Sequence, residues 1–212
     1  MPKLKPDTQF ARQQHILDAA ELAFAAGGFH RTTMQDVARQ ACVSLGALYV
    51  YFASKEDLIA GITERDRAKL TEQLAAIGQA PDLAAALAKL GEHYKVEEPR
   101  YKQQLVVEIG CEAMRGGSVG SIYRACDEAI MGDFERLFQR AIEDRRITPR
   151  YDAATIARAI AVLGDGLFWR RAVDPTFDTK AMVPVIATLV AALLDGADRP
   201  HSAPAEDKKH EV

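Results

Sequence analysis

Three helix-start signals crowd together near the start of this chain, and they constrain its fold more than any other feature. Thr32 or Thr33 opens one helix, with Gln35 or Asp36 placed to complete a capping box. Ser44 opens a second, and Ser54, followed by Lys55-Glu56-Asp57, opens a third. The helices between these signals must be short, and Cys42-Val43-Ser44 leaves room only for a tight turn. Two short helices joined this way can serve DNA: one braces across the backbone and the next projects side chains into the major groove. Val37, Ala38, Val43 and Leu48 are suitable apolar locks for the pair. Gly46 and Ala47 leave the second of them bare, so its backbone can approach bases closely.

Helical spacing continues on both sides. Upstream, Asp7 or Thr8 caps a helix over 8–26 that places Phe10, Leu17, Ala20 and Phe24 on one face and ends at Gly27-Gly28. The helix opened by Ser54 runs to Ile77, before Gly78. Further helices are predicted over 82–96, 100–115, 119–144, 152–171 and 179–194. Val106-Val107 and the stretch 183–190 are β-branched, but their neighbours favour helix and no Asn-Gly-type hairpin turn accompanies them. Pro184 is expected to mark the first turn of the last helix or to kink it. The fold class is therefore all-α, with about nine helices. A three-helix helix-turn-helix domain over 1–54 is followed by a helical bundle for ligand binding and dimerisation over 55–198 and a disordered tail over 199–212.

Bulk properties exclude several alternatives. No uncharged apolar run is long enough to span a membrane, and the first residues lack the apolar core of a signal peptide, so a cytoplasmic location without membrane partners is expected. Three widely spaced cysteines (Cys42, Cys111, Cys126) argue against a disulfide framework or a zinc knuckle. The five histidines form no metal-ligand spacing and no catalytic motif appears, so no metal, no cofactor and no enzymatic activity are expected. The net charge of −3 does not advertise nucleic-acid binding. Residues 1–54 carry five cations (Lys3, Lys5, Arg12, Arg31, Arg39) against four carboxylates (Asp7, Asp18, Glu21, Asp36), so DNA contact must rest on local placement of donors.

The run from Thr33 to Leu58 resembles the DNA-binding signature of the TetR family of bacterial regulators, and Ile16-Leu17-Asp18-Ala19-Ala20 and Phe24-Ala25-Ala26-Gly27-Gly28-Phe29 are similar to that family's first helix. Cys42 departs from the pattern, which usually has Gly before the Val. The resemblance implies a dimeric transcriptional regulator, by default a repressor, that binds an inverted-repeat operator in double-stranded DNA and is released by a small-molecule effector. It also implies that Thr33, Tyr49 and Lys55 face phosphates, Tyr51 a phosphate or sugar, and Gln35, Leu45, Gly46 and Ala47 base edges; Ser44, which opens the recognition helix, is counted among the DNA-binding residues. The chemistry is reasonable: Thr33 and Lys55 stand at helix N-termini, where free N–H groups attract phosphate. Gln35 can pair with adenine, and Ala47 can touch a thymine methyl.

Residues 101–171 are similar to the C-terminal part of the branch of that family that includes choline-responsive regulators, on Glu108-Ile109-Gly110-Cys111-Glu112-Ala113 and Leu163-Gly164-Asp165-Gly166-Leu167. Sensor candidates are Tyr94, Glu108, Cys111, Met114, Phe134, Phe138, Phe168 and Trp169, for an effector that is mainly apolar or cationic. Glu108 interrupts an apolar run, and a buried carboxylate needs a partner, either a cationic ligand or an internal arginine such as Arg115 or Arg124. Cys111 and Cys126 read as structural thiols. The dimer face is assigned to Ala157, Ile160, Ala161, Gly164, Leu167 and Phe168 on one helix and Val183, Ile186, Ala187, Val190 and Leu194 on the next; the alternative is that these stripes complete the monomer core.

Overall fold

The computed structural model describes residues 6–196, and the predicted tail lies outside them. Nine α-helices run through these residues, with no strand beyond a single parallel bridge between Thr148 and Asp195. They are α1 (Pro6–Gly27), α2 (Met34–Gln40), α3 (Leu45–Tyr49), α4 (Lys55–Ile77), α5 (Leu83–Glu92), α6 (Arg100–Ala113), α7 (Gly117–Glu143), α8 (Ala153–Val173) and α9 (Thr179–Leu194). None is long and apolar enough to cross a membrane.

The start signals act as the sequence suggested. Thr33 is the cap of α2: its hydroxyl accepts from the Asp36 N–H while the Asp36 carboxylate accepts from the Thr33 N–H, a closed capping box. Ser44 accepts from the Ala47 N–H at 3.1 Å, and Ser54 from the Asp57 N–H at 3.1 Å. Two expectations need correction. Phe10 is 64% exposed and does not share the buried face of Leu17, Ala20 and Phe24. The helix predicted over 82–96 is α-helical only to Glu92; His93–Glu97 widen into a π-helical turn, and Pro99 then ends the run because its ring disfavours helix in the residue before it.

Two apolar cores organise the packing. The first joins Ile16, Leu17 and Phe24 of α1, Val37 and Ala38 of α2 and Leu48 of α3 to Leu58, Ile59 and Ile62 of α4, and it is completed by Leu105 and Ile109 of α6 and Val119 of α7. The second gathers Leu74 and Ile77 of α4, Leu87 of α5, Phe138 of α7, Ile156 of α8 and Val190 and Leu194 of α9. Helix α4 is thus half in each core. Gly61 permits its close crossing with α1, since a Cβ there would lie 2.8 Å from Leu17 Cδ2.

Cys42 is one of two non-glycine residues with left-handed backbone among the described residues, at φ 53°. The turn between α2 and α3 requires that conformation, which suits glycine because it has no Cβ to clash. Cys42→Gly should therefore raise unfolding stability by about 0.5–1 kcal/mol, less than the full strain because glycine also loosens the unfolded chain. Urea denaturation of the two proteins checks this, and a Gly variant no more stable than the parent would contradict it.

Candidate nucleic-acid interface and cavity

The short α2–α3 pair presents one polar, open surface. Thr33, Gln35, Ser44, Leu45, Gly46 and Tyr49 are all exposed and Ala47 is half-buried, while Val37, Ala38 and Leu48 point into the core. A side chain added at Gly46 would meet nothing within 4 Å, so no internal packing demands glycine there. The bare site faces outward. Val50, which the sequence reading passed over, is more exposed than Tyr49 and ends the same surface. Tyr51 is half-buried and packs against the first core.

Lys55 is not idle at the start of α4. Its ammonium donates to the Phe29 carbonyl at 2.6 Å and to the His30 carbonyl at 3.3 Å, and lies 4.6 Å from the centre of the Phe29 ring. An ammonium has three protons, so one remains for an outside acceptor.

A cavity of about 360 Å³ lies between α4, α5, α6, α7, α8 and α9. Its wall is mostly apolar, with Leu70, Leu105, Ile109, Ile130, Met131 and Phe134 among the lining residues. Of the predicted sensor residues, Tyr94, Phe134 and Phe168 line it. Phe138 stacks behind Phe134, centroids 6.1 Å apart, fully buried in the second core. Cys111 is half-buried away from the lining, while Met114 (81% exposed) and Trp169 (51%) face outward. Glu108 also lies outside the cavity. Its carboxylate accepts from the backbone N–H of Phe29, while Arg115 pairs with Glu112 and Arg124 with Ser121.

The predicted dimer stripe is placed inward too. Ile160, Ala161, Gly164, Leu167 and Phe168 of α8 and Val183, Ile186, Ala187 and Val190 of α9 line the cavity, and Ala157 and Leu194 are buried in the second core. The outer faces of the same helices carry Val162 (70% exposed), Trp169, Val173, Val185 and Leu189.

The polar end of the cavity was missed by the sequence reading. Glu21 of α1, Asp66 of α4 and Glu98 before α6 line it together with Lys102. Lys102 Nζ stands 3.8 Å from Glu21 and 3.5 Å from Glu98. The buried Arg65 guanidinium bonds to Glu21 and reaches Asp18 at 2.7 Å. Burial raises the Glu21 carboxyl pKa, with Lys102 and Arg65 pulling against it. For Lys102 burial would lower the pKa, but Asp66, Glu21 and Glu98 outweigh it and the net shift is upward. Tyr94, whose hydroxyl donates to Gln73 at 2.7 Å, is pushed up to about 12 by burial and then by Glu98 and Asp66. Burial raises the Cys126 thiol as well, which keeps it protonated rather than reactive. Among the described residues no cluster suited to a metal ion occurs.

A bare-faced helix pair on a capped turn, set on an α-helical body that encloses a cavity, defines a helix-turn-helix transcriptional regulator. Residues 16–62 match the model of bacterial regulatory proteins of the tetR family, and residues 96–195 match that of the BetI-type transcriptional repressor C-terminal domain. The chain belongs to the TetR family of DNA-binding transcriptional regulators. It is 28% identical over 171 residues to the HTH-type transcriptional regulator UidR of Escherichia coli K12, covering 79% of this chain and 84% of that one. The structure of Salmonella enterica GusR superposes with a TM-score of 0.75 at 25% identity, covering 90% and 97% of the two chains. The fold is shared with Bacillus subtilis FadR, solved in complex with stearoyl-CoA, at a TM-score of 0.72 and 18% identity over 84% of this chain and 96% of that one.

Because Gly46 has open space around it and faces outward, Gly46→Leu should leave the thermal melt at or above that of the parent and abolish specific DNA binding. A mobility-shift titration beside a circular-dichroism melt reads both. Retained binding would remove α3 from the groove.

Proposed function

We propose that the chain is a homodimeric repressor whose operator affinity falls when a small molecule fills the cavity. The carrying observation is that α4 serves both sites. It begins at Lys55, beside the α2–α3 surface, and lends Ile62, Thr63, Asp66, Arg67 and Leu70 to the cavity wall. The match of the C-terminal half to a repressor model supports repression as the direction of control. On DNA, Thr33, Tyr49, Tyr51 and the third proton of Lys55 meet phosphates, while Gln35, Leu45, Gly46 and Ala47 face base edges.

The dimer uses the outer faces of α8 and α9. Five large apolar side chains (Val162, Trp169, Val173, Val185, Leu189) stand exposed on two packed helices, and such a patch marks an association surface. Joining two such pairs sets the recognition helices to read an inverted repeat, with half-sites one turn of DNA apart (about 34–36 Å) or a small multiple of it. The double variant Val162→Glu, Trp169→Glu should sediment as a folded monomer at micromolar concentration and lose operator binding. A variant that remains dimeric would place the interface elsewhere.

The effector is mainly apolar with a positively charged group. Five carboxylates line the cavity, Glu21, Asp66 and Glu98 at its polar end and Asp127 and Asp165 at its exposed rim, against the lining cations Lys102 and Arg67 and the Arg65 guanidinium behind Glu21. Arg67 is already paired with Glu64 at 2.6 and 2.8 Å. Between apolar walls this excess of negative charge favours a cation over an anion of the same shape. The cationic preference therefore rests on the Glu21, Asp66 and Glu98 end and not on Glu108. The test is release of DNA from the protein's own promoter region by octyltrimethylammonium, octanol and octanoate. The ammonium compound should release DNA at the lowest concentration and octanoate at the highest. The reverse order, or release by stearoyl-CoA alone, would overturn the charge assignment; release by none would overturn the effector role of the cavity.

A further inference from the structure

Phe29 lies in the connection between α1 and α2, and side chains distant in sequence hold both polar groups of its backbone. Its N–H donates to Glu108 Oε1 on α6 at 2.5 Å, across 79 positions of sequence. Its carbonyl accepts from Lys55 Nζ at 2.6 Å. The residue is only 5% exposed, and its ring tilts against Phe24 with centroids 5.6 Å apart. Gly28, at φ 79°, turns the chain so that this amide meets α6, and a Cβ at Gly28 would come within 3.1 Å of the same Glu108 oxygen. One turn further along α6, Glu112 holds the His30 imidazole at 2.7 Å and is itself held by Arg115 at 2.6 Å.

The same helix walls the cavity. Leu105, Val106 and Ile109 line it, and Leu105 and Ile109 also belong to the first core. Helix α6 therefore touches the cavity with one strip and the α1–α2 connection with the next. A hydrogen bond to a charged acceptor is short and directional, so a shift of α6 by about 1 Å would carry a 2.5 Å contact out of the range of a good bond.

We propose that Glu108 is a positioning residue for DNA binding: it fixes the Phe29 peptide, with Lys55 on the opposite side, and so fixes the direction in which the chain enters α2. The carboxylate acts from the C-terminal part of the chain without touching DNA or effector. Its loss leaves the Phe29 peptide and the entry into α2 to be fixed at the moment of binding, which costs affinity. The inference rests on the reading that α2 and α3 meet the operator.

The experiment pairs operator affinity with amide hydrogen exchange at residues 28–31, both at a temperature where circular dichroism shows full folding. Glu108→Ala should weaken operator binding by about tenfold, within the usual range of coupling between sites, and speed exchange of the Phe29 amide. Glu108→Gln keeps an acceptor oxygen and should restore both toward the parent. Should Glu108→Ala not fold, Glu108→Asp carries the same comparison, since it keeps the charge but withdraws the acceptor by one methylene. Parent-like affinity despite fast Phe29 exchange would overturn the positioning role, as would unchanged exchange in the Ala or Asp variant. Failure of the parent to bind promoter DNA would instead sink the operator reading, while the exchange data would still report whether Glu108 holds Phe29.

Discussion

Everything in this molecule depends on a single helix being buried twice. Leu58, Ile59 and Ile62 of α4 are committed to the first core, and Leu74 and Ile77 to the second. Neither α2 nor α3 is long enough to be stable in water alone, so both exist because α1 and α4 supply an apolar surface for Val37, Ala38 and Leu48. The same helix then forms one side of the cavity. A rod shared between two packed regions cannot shift in one without straining the other, because protein interiors are dense and yield little.

The polar contacts follow that division of labour. Around the α1–α2 connection they tie backbone groups, with Glu108 and Lys55 gripping one peptide from opposite sides. At the cavity's polar end they tie side chains, with Arg65 and Lys102 shared among Asp18, Glu21 and Glu98. Asp66, Glu21 and Glu98 together outweigh the burial of Lys102, so its pKa moves upward. The two sets are joined by α6, which carries Lys102 near its start and Glu108 six residues later.

Local chemistry was legible in the sequence; choices between faces were not. The bounds of α4 followed from Ser54 and Gly78, those of α2 from Thr33 and the turn after it, and the start of α3 from Ser44; α3 ends at Tyr49, two residues before the Tyr51 that the sequence suggests. The π-helical turn at His93–Glu97 escaped, because apolar spacing does not distinguish it from a continuing α-helix. On α8 and α9 both sides are apolar, so periodicity had no means to tell the cavity stripe of Ile160 and Ile186 from the outer stripe of Val162 and Leu189. Glu108 stands out in the sequence as a carboxylate in an apolar run, yet its partner is a main-chain amide on another helix's flank, which no side-chain pattern announces. Glu21 stands in a similar apolar run in α1 and was overlooked, although it is the more deeply buried of the two. The usual Gly at position 42 has a backbone reason, which became visible only with the φ of Cys42.

Glu21 also limits how modular the protein is. It belongs to the first helix, yet its carboxylate is part of the cavity wall and is held by residues of α4 and α6. A chimera that joins the first 54 residues of one relative to the body of another would transplant one wall group of the donor's pocket along with its DNA-reading helices. In such hybrids Arg65 and Lys102 of the recipient would face whatever the donor carries at that position. If the cavity is the effector site proposed above, its chemistry and that of the DNA-facing helices can diverge only as far as this one shared carboxylate allows.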